Sequence, residues 1–189
     1  MTRLNVQFNH PAYRNRDLVE SITDILDDHF ILAMATVHNG EAYINSAHYA
    51  YNDRLEMVIF THPYSEHGKN LAANPSVAAA ISKHPEEWGM NLQGVQLFGT
   101  AGLVEEDELQ GAIDTYSKRF PAFSHIIQVA EDFERDITDM RLYKLKVEQV
   151  KLIDETRFGH RNWITVPVIH PATQPKQQRE PEKFLVPMI

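Results

Sequence analysis

The first periodic stretch of the chain carries apolar residues at the spacing of an α-helix. The apolar set is Leu18, Ile22, Ile25, Leu26 and Phe30. Residues three or four positions apart fall on one helix face, and acidic residues such as Asp17 and Glu20 fill the other. The pattern predicts a helix over about residues 16–29, with Asn15 as its N-cap. Residues 1–14 show no such period and are expected to be irregular.

The period then changes from that of a helix to that of β-strands. Three apolar or alternating segments follow one another at 30–37, 42–51 and 54–61. They are separated by Asn39-Gly40 and Asn52-Asp53, pairs that are typical of tight turns. Connections this short leave no room for a crossover helix, so the three strands are predicted to form an antiparallel meander.

Beyond the meander, the pattern predicts a short helix, more strands and further helical segments. Ser65 can N-cap a helix that runs to Ala73, where Asn74-Pro75 stops it. The other predicted elements are a strand at 76–82, a strand at 92–104, a helix at 105–120 ended by Pro121, a short helix at 122–133, one or two strands within 139–154 and a last strand within 158–166.

This order of elements predicts a mainly β fold. A small β-barrel with helical decoration best accommodates this set of elements. It would contain six to seven antiparallel strands, with one helix in front and others before the last strands. Residues 1–166 are expected to form this single domain, including the N-terminal helix. Residues 167–189 are expected to form an extended, proline-rich tail. Three apolar tail residues are candidates for docking on a partner subunit: Phe184, Leu185 and Val186.

Composition and charge narrow the possible functions. The 189 residues include 18 basic and 26 acidic side chains and give a net charge of −8, so the surface repels a nucleic-acid backbone. A small anion stays compatible with this charge, because a local basic cluster can oppose it. The absence of cysteine excludes disulfides, cysteine-ligated metals and thiol catalysis. Because no membrane-length apolar run or signal-peptide core occurs, a cytoplasmic protein without membrane contact is expected.

The stretch FTHPYSEHGKNLAANP, residues 60–75, contains a candidate anion site. A helix N-terminus presents free N–H groups and a partial positive charge. Ser65 adds a hydroxyl at the cap, and Lys69 lies one turn further on the same helix face. His67 reaches the site only if the anion lies across the helix tip. A capped surface helix with solvated polar residues also explains this local pattern and is the commoner case.

No other motif indicates a catalytic machinery. The chain lacks HExxH, a nucleophile elbow, GxGxxG and GxxxxGK[ST], so zinc, serine-nucleophile, Rossmann and P-loop chemistry are unsupported. Four of the ten histidines precede proline, which indicates extended turns rather than ligands. Ser46 and His48 share one strand face, which either lines a cavity or is simply half-exposed.

The order of the motifs is more specific than any one of them. A helix and a strand meander lead to T-x-x-x-S-x-H-x-K-x-L-x-x-N-P, then to an Ala/Val strand and to GVQLFGTA. Over residues 16–166, this order resembles the pyridoxamine 5′-phosphate oxidase-like family of FMN-binding split barrels. The later segments Arg119-Phe120-Pro121 and Phe158-Gly159…Trp163 make the chain most similar to small uncharacterised members of that family.

The resemblance implies a homodimeric oxidoreductase with FMN at the subunit interface. It implies that Thr61, Ser65 and the basic residues after Ser65, here His67 and Lys69, hold the FMN phosphate. It also implies that Gln96 approaches the flavin and that Trp163 lies near the cofactor in the partner subunit. The strand that lies along the isoalloxazine ring corresponds to Asn45, Ser46, Ala47 and His48.

Two departures from the family pattern affect the expected function. Glu66-His67 replaces the usual Arg-Lys, and histidine is a weaker phosphate anchor than lysine. The arginine–histidine pair that binds pyridoxal phosphate is matched only by His160-Arg161, in reversed order. We therefore expect an FMN-dependent oxidoreductase of unknown substrate, distinct from the vitamin B6 oxidase. The alternatives are a non-catalytic flavin- or haem-binding protein, with His48 or His160 as axial candidates, and a dimeric scaffold with an empty pocket.

Overall fold

The computed structural model describes residues 2–83, 88–135 and 138–171, and within them seven strands form one sheet. The strands are β1 (Ile31–His38), β2 (Glu41–Tyr51), β3 (Glu56–Thr61), β4 (Ser76–Ser82), β5 (Gln93–Leu103), β6 (Arg141–Asp154) and β7 (Trp163–Pro167). The α-helices are α1 (Asn15–Asp28), α2 (Glu66–Ala73), α3 (Glu106–Arg119) and α4 (Glu155–Phe158). Two 3-10 helices follow α3, at Pro121–His125 and Ala130–Arg135.

The sheet closes on itself to form a barrel. Its strand order is β3-β2-β1-β4-β5-β6-β7, and β3 also pairs with β6. Six strands therefore form a closed ring, and β7 lies beside β6 as an extra strand. Every neighbouring pair is antiparallel. The predicted antiparallel barrel with helical decoration is confirmed.

The predicted meander of β1, β2 and β3 is also confirmed. His38 pairs with Glu41, so the β1–β2 hairpin turns over Asn39 and Gly40 alone. These two residues have φ values of 49° and 80°, as the two-residue turn that matches strand twist requires. The next connection is longer, with four residues at 52–55, because β3 starts at Glu56 rather than at the predicted residue 54.

Two hydrophobic clusters hold the helices on the barrel. The larger cluster fills the barrel and includes the apolar face of α1, where Leu18, Ile22 and Leu26 are fully enclosed. The smaller cluster lies on the outside of the barrel wall, where Ile113 and Tyr116 of α3 pack against residues of β2, β3 and β6. Helix α3 therefore covers one part of the outer wall, while α1 contributes to the interior core.

Several elements differ from their predicted form. Asn15 is the first residue of α1 rather than its N-cap, and its side chain accepts a hydrogen bond from the Phe8 amide at 2.7 Å. The predicted helix at 122–133 is replaced by the two 3-10 helices. Residues 139–154 contain one long strand. The last strand starts only at Trp163, because α4 takes up residues near the beginning of its predicted range.

The N-terminal segment is irregular, as predicted, yet it belongs to the core. Its three buried side chains are Leu4, Val6 and Phe8. They pack in the same cluster as the barrel interior and α1. The predicted tail is described only as far as Pro171, so the proposed docking residues Phe184, Leu185 and Val186 lie outside the described residues.

Candidate functional site

Helix α2 begins at the predicted serine cap. The Ser65 hydroxyl oxygen accepts a hydrogen bond from the Gly68 amide at 3.2 Å, and the hydroxyl donates to the His62 carbonyl at 2.6 Å. One side chain therefore satisfies an amide of the first helical turn and fixes the preceding turn at the same time. The predicted N-cap and the end of the helix at Ala73 are both confirmed.

Gly68 allows that preceding turn to lie directly on the helix. A Cβ atom at this position would lie 2.4 Å from the Pro63 carbonyl oxygen and 2.9 Å from the His62 carbonyl oxygen. Both are backbone atoms, which cannot move aside as the end of a flexible side chain can. The close approach brings Thr61, the last residue of β3, to the first turn of α2.

Three of the four side chains predicted to bind phosphate converge at this helix tip. His67 Nε2 lies 2.7 Å from Thr61 Oγ1 and 3.0 Å from Ser65 Oγ. The three residues come from the end of β3, the N-cap and the first turn of α2. Lys69 does not join them, because its side chain is exposed and its amino group lies 3.9 Å from the Glu66 carboxylate.

Burial favours the neutral form of the His67 imidazole. The side chain is 9% exposed, and burial lowers the pKa of the imidazole below its ordinary value. Because the Ser65 hydroxyl already donates to a carbonyl, its oxygen is free to accept from Nε2, which places the hydrogen on Nε2. Nδ1 is then a buried acceptor with no partner among the residues described.

This arrangement is suited to binding rather than to nucleophilic catalysis. The Ser65 proton is committed to the His62 carbonyl, so His67 does not act on it as a base. No carboxylate among the described residues orients the ring through Nδ1, as a triad would require. What the cluster offers as donors is the Thr61 hydroxyl and a ring N–H beside the free backbone amides of a helix N-terminus.

The predicted flavin-facing residues of β2 divide between the two faces of the barrel wall. Ala47 packs against the interior core, and Asn45 lies two positions away on the same face. Ser46 and His48 therefore lie on the outer face, where both are exposed. The edge of the Phe120 ring packs on the His48 ring, with 5.5 Å between the centroids.

The outer face continues from β2 to the predicted glutamine through small side chains. Ser46 pairs with Ala33, which pairs with Ala80, which in turn pairs with Gln96. A shallow groove of about 530 Å³ lies beside this row and is lined partly by alanines and by Phe98. The strand register therefore places Ser46 and Gln96 on the same outer face, with two strands between theirs.

Trp163 lies on the same outer surface, further round the barrel. Gln96 pairs with Lys151 of β6, whose amino group lies 4.8 Å from the centre of the Trp163 ring. The indole is 46% exposed. Trp163 is therefore separated from Gln96 by one lysine side chain and is not part of the cluster at the tip of α2.

Two residues near the cluster were missed by the sequence interpretation. The Tyr43 ring lies nearly parallel to that of His67, with 6.4 Å between centroids. Asn70 donates a hydrogen bond to Thr36 Oγ1 at 3.1 Å, which fixes α2 on β1. Strand alternation places Tyr43 on the same face as Asn45, but only the fold shows that α2 covers this face. The Oδ1 atom of Asn45 is buried without a partner among the residues described.

Neither a metal centre nor a membrane span is found in the part of the chain that the structure describes. Within residues 2–83, 88–135 and 138–171, no three histidine or carboxylate side chains are grouped as a metal site would need. None of the described helices is both long and apolar enough to cross a membrane.

Known proteins similar to this chain were identified by sequence and by structure. The sequence model of the family described as pyridoxamine 5′-phosphate oxidase matches residues 18–154. A relative named UPF0306 protein from Cronobacter sakazakii is 28% identical over 122 residues, which are 64% of this chain and 76% of that protein. The family-model match over residues 18–154 includes β1 to β6 and α2, so it covers most of the elements described above.

Solved structures with the same fold include cofactor-binding proteins. A haem-binding protein from Mycobacterium smegmatis has a TM-score of 0.60 and 22% identity; the match covers 76% of this chain but only 55% of that protein. A FAD-binding protein from Mesorhizobium loti has a TM-score of 0.54 and 18% identity, over 77% of this chain and 94% of that one. At these identities the likeness shows the fold alone.

Proposed function

Because the chain belongs to the pyridoxamine 5′-phosphate oxidase-like family, we propose that it is a homodimeric flavoprotein that binds FMN and acts as an oxidoreductase. The observation that carries this proposal is the convergence of Thr61, Ser65 and His67 at the N-terminus of α2. These are the positions at which the family holds the cofactor phosphate.

The cluster fits a phosphate group by its supply of hydrogen-bond donors. Phosphate oxygens accept hydrogen bonds, and the Thr61 hydroxyl, the His67 N–H and the first-turn amides of α2 can donate them. Phosphate binding requires Thr61 and His67 to exchange their mutual bond for bonds to the ligand. Lys69 adds positive charge near the tip, although Glu66 offsets it. The fit is therefore one of hydrogen bonding more than of charge.

The outer face of the barrel wall fits a flat ring. The alanines between Ser46 and Gln96 have short side chains, so a planar group can lie close to the strand backbone. Nearby apolar side chains are open to solvent, with Ile44 69% and Tyr43 39% exposed. Apolar surface of this kind supports the proposal that a second copy of the chain covers the site.

The protein's part in the proposed reaction is to bind and orient. When bound, FMN supplies the electron-transfer chemistry. Thr61 and His67 would donate to the phosphate end, Ser65 would cap the helix beside it, and the outer-face residues would position the ring. Gln96 offers an amide that can hydrogen-bond a ring edge, and His48 offers an imidazole on the same face. Because the flavin would supply the electron transfer, the protein needs no nucleophilic side chain.

Flavin binding is tested by titrating the purified protein with FMN and recording its visible absorption. We expect Ser65→Asp to weaken FMN binding at least about tenfold, because it places a negative charge beside the phosphate. Aspartate is as good an N-cap as serine, so α2 should stay folded. The control is Ser124→Ala, an exposed hydroxyl that only bonds its own turn. Unchanged FMN affinity in Ser65→Asp would contradict the phosphate assignment.

Oxidoreductase activity requires a separate measurement. Flavin reduction by NADH or NADPH, followed as loss of the visible flavin band under anaerobic conditions, distinguishes an enzyme from a carrier. A protein that binds FMN but accepts electrons from neither donor, and passes none from chemically reduced flavin to oxygen or a dye, would contradict the oxidoreductase proposal and leave flavin binding intact.

Haem binding is the second candidate function. It is favoured by His48, whose exposed imidazole lies beside the Phe120 ring on the open outer face. His160 is also exposed, but its Nδ1 lies 2.9 Å from Glu155. Titration with haemin would give an intense, shifted Soret band if haem binds, and His48→Ala should alter that band if His48 is the ligand. No Soret change alongside flavin uptake would exclude this candidate.

A further inference from the structure

A second cavity lies away from the tip of α2. Its volume is about 590 Å³, and it is enclosed by the N-terminal segment, the end of α1, the end of β2 and the last turn of α3. None of the residues assigned above to phosphate or ring binding lines it. The volume is sufficient for a small-molecule ligand.

The cavity is lined by more basic than acidic groups, on a chain whose net charge is −8. Arg3, Lys118 and Arg119 line it, together with Asp27 and Asp53. None of the three basic side chains lies within 4.0 Å of a carboxylate oxygen in the part of the chain that is described. Asp27 already accepts the Tyr51 hydroxyl at 2.6 Å. Neither Asp27 nor Asp53 forms an ion pair within the described residues, so three basic and two acidic groups give the lining a net charge of +1.

The same cavity has an aromatic wall. The Arg119 guanidinium lies 4.9 Å from the centre of the Phe30 ring and 5.7 Å from that of Tyr51. Phe30 is 51% exposed, so one part of its ring is open to a ligand. An aromatic ring beside basic groups is complementary to a flat ligand that carries a negative charge.

Phe120 connects this cavity to the outer face of β2. Its ring lies 6.2 Å from Phe30, at the cavity, and 5.5 Å from His48, on the proposed flavin face. The segment Arg119-Phe120 thus contributes one residue to the cavity wall and the next to the contact with His48. A ligand in the cavity would be one aromatic side chain away from the proposed ring site.

We propose that this cavity binds a small aromatic carboxylate, in a site that lies next to the proposed flavin face. Lys118 and Arg119 attract the carboxylate, and Phe30 provides the apolar contact. The position next to a flavin rests on the proposed flavin function, whereas binding of the carboxylate does not. One nitrogen of the Arg119 guanidinium donates to the Leu26 carbonyl at 2.7 Å and to the His29 carbonyl, so Arg119 holds the end of α1 as well.

Binding is tested with 2-naphthoate and its neutral amide by ligand-observed NMR titration of the flavin-free protein. We expect saturable binding of 2-naphthoate, at least about fivefold tighter than that of the amide, because only the acid carries a charge. Lys118→Glu should weaken 2-naphthoate binding by a factor of about three or more. Lys146→Glu, which makes the same charge change at an exposed site on β6, should not.

The outcomes separate this proposal from the proposed function. Absence of saturable 2-naphthoate binding in the millimolar range, or equal binding of acid and amide, overturns it even if the protein takes up FMN. In FMN-loaded protein, 2-naphthoate should shift the flavin absorption bands, and Lys118→Glu should need more ligand for the same shift. Naphthoate binding by a protein that takes up no flavin would support the cavity site and contradict the proposed function alone.

Discussion

At the scale of single residues, His67 shows what the sequence can and cannot predict. Its distance from Ser65 along the chain suggested that it reaches the helix tip only under a special condition. In the structure His67 reaches the helix tip without an anion, because its ring turns inward and bonds both Ser65 and Thr61. Burial and the missing Nδ1 partner follow from packing under Tyr43, a contact between distant segments that sequence spacing does not reveal.

The lowered pKa of His67 makes stability depend on pH. An exposed histidine in the unfolded chain titrates near 6.5, and the folded one titrates below it, so unfolding takes up a proton between the two values. The contribution of neutral His67 is complete above pH 6.5 and is lost as the pH falls. We expect His67→Gln to reduce the fall in the free energy of unfolding between about pH 7.5 and about pH 5.5, measured by urea unfolding.

The control for this prediction is His125→Gln, which changes an exposed histidine outside the site. Its free energy of unfolding should follow that of the unmodified protein at both pH values. If His67→Gln and the unmodified protein lose the same stability on acidification, the buried neutral imidazole assigned to position 67 is wrong.

Gly68 gives a second test at this scale. Gly68→Ala would place a Cβ 2.4 Å from the Pro63 carbonyl oxygen, so we expect a loss of about 1–3 kcal/mol in the free energy of unfolding. Gly111→Ala is the matched control, since it lies in α3 with open space around the new Cβ, and should gain up to about 1 kcal/mol. Thermal unfolding of both variants measures this, and a stable Gly68→Ala protein would contradict the tight turn.

At the scale of elements, α3 shows how a helix can bury a strand residue that points out of the barrel. The alternation along β6 marks Lys144 as an outward position, and it does point out of the barrel. The lysine is nevertheless 7% exposed, because α3 lies over it. It pairs with Glu108 of α3 and lies 3.8 Å from Glu56 of β3. Sequence predicted both elements, but not that one would cover the other.

The ion pair between Lys144 and Glu108 should stabilise the protein only at higher pH. The hydrogen bond from Lys144 to the Glu108 carboxylate lowers the pKa of Glu108 below its ordinary value of 4.5. The stability is therefore present above pH 4.5 and lost as the pH falls through the folded-state pKa. We expect Glu108→Gln to lose about 0.5–1 kcal/mol at neutral pH, a small figure because Glu108 is 41% exposed, and nothing in acid.

Urea unfolding at neutral and acidic pH measures that difference. Glu106→Gln, an exposed carboxylate in the same first turn of α3, controls for the general effect of charge near the helix N-terminus. A Glu108→Gln penalty that persists unchanged in acid would show that the side chain acts through packing rather than through its charge.

At the scale of the whole molecule, local patterns predicted most of the barrel. Alternation, tight turns and the cap at Ser65 were sufficient for β1 to β5 and α2. The closing pair of β3 and β6 joins segments about eighty residues apart, with α3 between them, and depends on how all strands tilt together. The outer-face row from Ser46 to Gln96 likewise follows from register across four strands.

The proposed dimer yields a prediction at this scale. Ile44→Asp places a charge in the exposed apolar region of β2 and should convert the protein to a species of 21.7 kDa, measured by light scattering. If the partner subunit completes the flavin site, FMN affinity should fall at least about tenfold as well. Ile126→Asp, an equally apolar and 48% exposed position just after the 3-10 helix Pro121–His125, should change neither.

The position of Trp163 provides an optical probe of the outer face. The chain has two tryptophans, and the other, Trp88, is 98% exposed and contacts little. After Trp88→Phe, fluorescence would report only from the indole beside Lys151. A flavin on this surface accepts energy from indole, so cofactor arrival would quench the emission, whereas a ligand confined to the cavity near Phe30 would leave it largely unchanged. One single-tryptophan protein could thus report which of the two sites a compound occupies.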